Sequence, residues 1–103
     1  SVSPSGKLDN RKRYIYLIRE SFQGLIKIGI ATDLYARMVG IETSCPQELE
    51  LIGYVISSNA KVIEGHIHRR FSDKRYKGEW FRLNDDDVKQ ILEVCKNYDT
   101  IDT

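Results

Sequence analysis

Tyr14-Ile15-Tyr16-Leu17-Ile18, followed after a short polar stretch by Leu25-Ile26-Lys27-Ile28-Gly29, decides how this chain folds. Both runs are rich in β-branched and aromatic residues, the composition of strands. Between them Ser21-Phe22-Gln23-Gly24 forms a turn, with Gly24 able to take a positive φ. The two runs therefore fold back on each other as an antiparallel pair. Side chains alternate faces along a strand, so an even turn length puts Tyr16 and Lys27 on one face, nearly opposite each other. A phenol and an ammonium amid apolar strand residues are more than packing alone requires. Gly29 ends the second run, and a glycine there marks a bend or a close backbone approach.

Working outward, Thr32 or Asp33 caps a helix from about Leu34 to Glu42, with Leu34, Met38 and Ile41 as its apolar stripe and Arg37 at the margin. Ser44-Cys45-Pro46 ends it. Leu49 to Ile56 is apolar on both alternating faces, which predicts a central strand covered on both sides. From Asn59 a second helix runs from Ala60 to Phe71, striped by Ala60, Ile63, Ile67 and Phe71. Asp73 to Gly78 reads as a basic loop, and Glu79-Trp80-Phe81-Arg82-Leu83 as a short extended piece whose Trp80-Phe81 pair belongs to the core. Asn84 caps a last helix with acids in its first turn and with Val88, Ile91, Leu92 and Cys95 facing inward. The expected architecture is α+β: a small three-stranded mixed or antiparallel sheet flanked by helices. Residues 1–13 read as an N-terminal tail or linker, 14–97 as one domain and 98–103 as a C-terminal tail.

A chain of 103 residues fits one compact domain with a modest core. Its 16 basic and 15 acidic side chains balance, so any basic surface must come from local clustering. Cys45 and Cys95 are far apart and lack a paired spacing, which fits free thiols in a reducing compartment. Nothing has the length of a membrane span or the pattern of a signal peptide, and the expected location is intracellular, in cytoplasm or around the nucleoid or nucleus.

Glu64 is the sharpest chemical signal, because a carboxylate inside an apolar helical stripe is costly unless paired or metal-bound. It forms either an ion pair with Arg37 or Lys27 at the edge of the core, or a ligand for Mg²⁺, which accepts few protein oxygens and keeps its waters. Tyr16 is either an amphipathic strand tyrosine or a group that orients or deprotonates a water. Arg37 is either a surface arginine or a planar clamp for phosphate. Lys27 is either a snorkelling strand lysine or a cation that steadies phosphate charge and lowers the pKa of a nearby phenol. His68 shares an edge of the helix with Glu64, whereas His66 points elsewhere. Arg69, Arg70, Lys74, Arg75 and Lys77 are candidates for contact with a nucleic-acid backbone, and Arg11-Lys12-Arg13 is a strand flank or a further phosphate contact. No phosphate-binding glycine loop, Ser/His/Asp arrangement or zinc spacing is present.

Taken in order, these residues resemble the GIY-YIG endonuclease superfamily, and most closely its phage T5-type DNA-binding branch. The first motif stands as Tyr14-Ile15-Tyr16 and the second as Lys27-Ile28-Gly29, followed by Arg37, Glu64, His68-Arg69-Arg70-Phe71 and Gly78-Glu79-Trp80-Phe81. The resemblance covers residues 14 to 83. It implies an endonuclease that hydrolyses DNA phosphodiesters with Mg²⁺ or Mn²⁺, of phage, restriction or mobile-element origin. Tyr16 would then help deprotonate the attacking water, Arg37 stabilise the pentavalent phosphate, and Glu64 hold the metal. Gly29 and His68 would line the substrate site. Tyr14 replaces the first glycine of the family name, and Lys27 its second tyrosine. The alternative is a DNA-binding module of the same fold without turnover.

Overall fold

The computed structural model describes residues 12–44 and 47–102. Arg11 and the tail residues before it, together with Cys45 and Pro46, lie outside the described residues. Five strands and three helices follow in the order β1 (Arg13–Glu20), β2 (Ile26–Ala31), α1 (Leu34–Ser44), β3 (Leu49–Ser57), α2 (Ala60–Arg70), β4 (Arg75–Lys77), β5 (Trp80–Phe81) and α3 (Asp85–Asp102).

β1 and β2 pair antiparallel around the predicted turn, where Gly24 has a φ of 73°. Tyr16 lies opposite Gly29, and Ile18 opposite Lys27. Tyr16 and Lys27 therefore share a face, one pair apart along the ladder. All five residues from Tyr14 to Ile18 are buried, because β1 lies inside the sheet and helices cover both faces. On one face Tyr14, Tyr16 and Ile18 pack with Ala31 and Leu34, and Met38 and Ile41 of α1 close over them. On the other, Ile15, Leu17 and Ile28 meet Ile63 and Ile67 of α2, Phe71 at its C-cap, and Ile91 and Cys95 of α3. The predicted stripes of α2 and α3 are those that face the core.

The caps follow the sequence. The Asp33 carboxylate accepts the Ala36 N–H at 3.0 Å at the start of α1. At the start of α3, Asn84 and Asp87 form a reciprocal capping box: the Asp87 N–H donates to Asn84 Oδ1 at 2.8 Å and the Asn84 N–H to Asp87 Oδ2 at 3.0 Å.

Two expectations are corrected. The sheet has five strands, not three, in the order β3-β1-β2-β5-β4, and every pairing is antiparallel. The added strands come from the basic loop and the short extended piece, which fold into a β4–β5 hairpin around Gly78 at a φ of 57°. That hairpin joins the sheet through Ile26 opposite Phe81 and Lys27 opposite Trp80. Strands this short carry no readable periodicity; their pairing is set by β2, far away in sequence. Second, the Leu49 to Ile56 segment is the edge strand β3, and β1 is the interior one. β3 is apolar on both faces because Leu49, Leu51 and Ile56 pack towards α1 while Ile52 and Val55 pack towards α2 and α3. Alternation reports covered faces and says nothing about the outer ladder edge.

Candidate functional site

The site forms where β5 stops. Along β2, β5 reaches only Ile26 and Lys27, and the next backbone groups of β2 are taken by other partners. The Ile28 N–H donates to the Glu79 carbonyl at 3.1 Å, and the Ile28 carbonyl lies 3.1 Å from His68 Nε2. α2, the β4–β5 turn and β2 thus converge on one short stretch of strand edge.

Gly29 is required here by space. A Cβ on it would lie 2.5 Å from the Tyr16 hydroxyl oxygen and 2.7 Å from Cζ of the same ring, so the phenol rests directly on the glycine backbone. The predicted close approach at Gly29 is the Tyr16 ring itself. Tyr16 is fully buried, and its hydroxyl is 3.5 Å from Nη1 of the exposed Arg37. Burial raises the phenol pKa above its ordinary value; the Arg37 hydrogen bond and charge pull it down, and Glu79 and Glu64 push it up. The net effect keeps the hydroxyl protonated at neutral pH.

Lys27 lies on the same face. Its ammonium donates to Glu79 Oε1 at 2.9 Å and sits 5.6 Å from the centre of the Trp80 ring. Trp80 is accordingly half-buried against a cation, whereas Phe81 is the core residue of the pair. Glu64 approaches from α2 with its side chain 17% exposed. Burial raises its pKa first and the negative charge of Glu79 second, with His68, Lys27 and Lys61 opposing. Glu64, His68 and Glu79 each bring one ligand-type atom within 4.8 Å of the others. One nitrogen of the histidine is committed elsewhere. A backbone carbonyl only accepts, so the Nε2 facing Ile28 carries its proton and has no lone pair for a metal. That nitrogen is also 4.0 Å from Glu64 Oε2, so the imidazole sits beside the carboxylate without a hydrogen bond to it. Glu64 and Glu79 remain as the oxygen donors.

The structure thus brings Tyr16, Lys27, Gly29, Arg37, Glu64 and His68 to one strand edge. The other basic candidates take other places. Arg69 and Arg70 are exposed on α2, with Arg70 6.0 Å from the Phe71 ring centre. Arg75 and Lys77 are exposed on β4. Lys74 donates to Asp87 at 2.7 Å and so ties the β4–β5 hairpin to the α3 cap. Sequence reasoning quoted Glu79 within Gly78-Glu79-Trp80-Phe81 but gave it no role. The available signal was a lone acid beside a turn glycine, in a chain with a strand lysine lacking a partner.

Among the described residues, no helix is long and apolar enough to cross a membrane. Comparison with curated proteins and with solved structures gives no significant match. A family model, described as the T5orf172 domain, matches residues 13–96, from the first residue of β1 into α3 and across every element that supplies the site, and the chain belongs to that family.

Proposed function

We propose that the protein is a metal-dependent DNA endonuclease of the GIY-YIG type, hydrolysing a phosphodiester at the edge of β2. The observation that carries this reading is the meeting of two partly buried carboxylates, Glu64 and Glu79, with Lys27 and the Tyr16–Arg37 pair. Burial, and then the like charge of Glu79, raise the Glu64 pKa, a cost that a divalent cation would relieve. Glu64 and Glu79 supply two oxygen donors, which fits Mg²⁺ or Mn²⁺. When bound, such an ion would polarise a phosphate oxygen and neutralise developing charge.

The chain's own residues have distinct parts. Arg37 is exposed and its planar fork suits two phosphate oxygens. Substrate reaches the buried phenol when the guanidinium moves, and a phosphate is the partner that draws it outward. Tyr16 then orients the attacking water through its hydroxyl; its raised pKa suits orientation better than deprotonation at neutral pH. Lys27 contributes positive charge beside the phosphate. The water oxygen bonds to phosphorus, the bond to the leaving sugar oxygen breaks, and the proton lost by the water passes through solvent to that oxygen.

The Lys27–Glu79 bridge favours a second reading, DNA binding without turnover, because it already engages one of the two carboxylates. Supercoiled-plasmid nicking with Mg²⁺ or Mn²⁺ separates the two. The expected result is metal-dependent nicking that EDTA and Glu64→Ala both abolish. Nicking that persists in Glu64→Ala would overturn the site, and salt-sensitive DNA binding without nicking on plasmid, branched or single-stranded substrates would establish the second reading.

A further inference from the structure

Lys27 is also one wall of a separate open groove of about 440 Å³, set between the β1–β2 turn, the C-terminal end of α1 and the β4–β5 hairpin. The volume falls in the range of small-molecule sites. Three aromatic rings line it: Phe22, 75% exposed, Tyr76, 54% exposed, and Trp80. Exposed rings of this size on a turn and an outermost strand contribute little to the core.

They are nevertheless held in place. Arg82 donates to the Gln23 side-chain oxygen at 3.3 Å and lies 5.5 Å from the Tyr76 ring centre. One guanidinium thus links the turn bearing Phe22 to the strand bearing Tyr76. Several polar groups of the groove are already engaged. Glu20 accepts the Gln23 and Gly24 N–H groups, the Ser44 hydroxyl donates to carbonyls of α1, and Gln23 accepts from Arg82. The groove also offers aromatic surface and the ammonium groups of Lys77 and of Lys27, the latter shared with Glu79.

We propose that this groove binds an unpaired nucleobase of the DNA strand whose phosphate lies at the β2 edge. The inference rests on the DNA-handling reading above and extends it to substrate form. Stacking on aromatic rings needs a base out of its duplex, since a paired and stacked base has no free face. Lys27 couples the two places, with its ammonium against Glu79 on one side and lining the groove beside Trp80 on the other. With three aromatic rings as its main offering, the groove takes bases by their faces and discriminates little among them. The preferred substrate carries a single-stranded, bulged or flapped nucleotide next to the scissile phosphate.

Trp80 is the only tryptophan of the chain, so its emission reports the groove directly. The experiment titrates the wild-type protein with a short single-stranded oligonucleotide and with the matching duplex, in EDTA and at fixed salt. The expected result is saturable quenching of Trp80 by the single strand at lower concentration than by the duplex. Phe22→Ala and Tyr76→Ala should each weaken it about 10-fold, as loss of one stacking partner does, with Phe22→Tyr restoring it. Oligonucleotides of different base composition should differ less than these variants do. Binding of single strands without quenching, equal affinity for duplex, or indifference to both alanine substitutions would each overturn the proposal. The titration needs no cleavage, so the plasmid assay can fail independently of it.

Discussion

Replacing Gly29 by alanine tests the packing on which the site stands. The added Cβ would sit 2.5 Å from the Tyr16 hydroxyl and 2.7 Å from Cζ, where ordinary contact begins near 3.4 Å, so ring and backbone must separate by about 1 Å. The ring has little room to retreat. It is fully buried, among Tyr14, Ile18, Ala31 and Leu34. Forced overpacking of this kind costs about 1–3 kcal/mol. For a domain of this size that corresponds to a fall in Tm on the order of 5–20 °C, read from thermal unfolding followed by circular dichroism. A displacement of about 1 Å also carries the hydroxyl away from Arg37, and misplacement on that scale costs roughly 100-fold in rate, read from plasmid nicking. Gly40→Ala is the control of opposite sign. Nothing lies within 4 Å of a Cβ there, and the residue is exposed within α1, so helix propensity should raise stability by roughly 0.5–1 kcal/mol. A Gly29→Ala protein that melts within about 2 °C of wild type would refute the claim that Tyr16 rests on this backbone.

Two further outcomes concern pH. Burial, then the Glu79 charge, raises the Glu64 pKa in the folded state. Its ionised form therefore opposes folding above the ordinary carboxylate range, and that cost vanishes in acid, where both states are protonated. In EDTA, Glu64→Gln should melt higher than wild type near neutral pH, with the gap closing as pH falls. Mg²⁺ at ten times its Kd should stabilise wild type by about 1.4 kcal/mol and leave Glu64→Gln unmoved. Asp87 behaves in the reverse sense. Burial raises its pKa, but the Lys74 hydrogen bond, the Asn84 N–H and the Lys74 charge together hold it below the usual value. Its contribution is present above the unfolded-state pKa and lost as pH falls through the folded one. Asp87→Ala should lower stability by about 1–2 kcal/mol at neutral pH, a modest figure because Lys74 is partly solvated, and the difference from wild type should shrink in strong acid.

The parts of this protein that could be read from sequence are those where neighbours along the chain settle the outcome. The Tyr14–Ile18 run, the stripe of α2 and the Asp33 and Asn84 caps carry their reasons within a few residues, and the glycine against Tyr16 within one hairpin. The β4–β5 hairpin does not. Three residues of β4 and two of β5 have no period, and what makes them strands is backbone pairing with β2 at Ile26 and Lys27 together with the burial of Phe81. Glu79 was passed over for the same reason. Its meaning comes from Lys27, 52 residues away, and its own surroundings in sequence are those of a turn. Lys74 shows the converse: it shares the composition of a basic loop but pairs with Asp87, whereas Lys77, from the same loop, lines the groove.

The manner in which β2 ends its pairing has a bearing on self-association. A strand whose N–H and C=O groups run out of partners is a template for another chain. At Ile28 those two groups are closed by the Glu79 carbonyl and the His68 imidazole. The wall of the site therefore also shields a sheet margin. Substituting His68 with alanine bares the Ile28 carbonyl between apolar strand residues, and lost activity in such a variant would combine altered chemistry with strand-to-strand aggregation. Glu64→Ala leaves that margin closed, which makes Glu64 the position at which the chemistry can be removed while the protein stays dispersed.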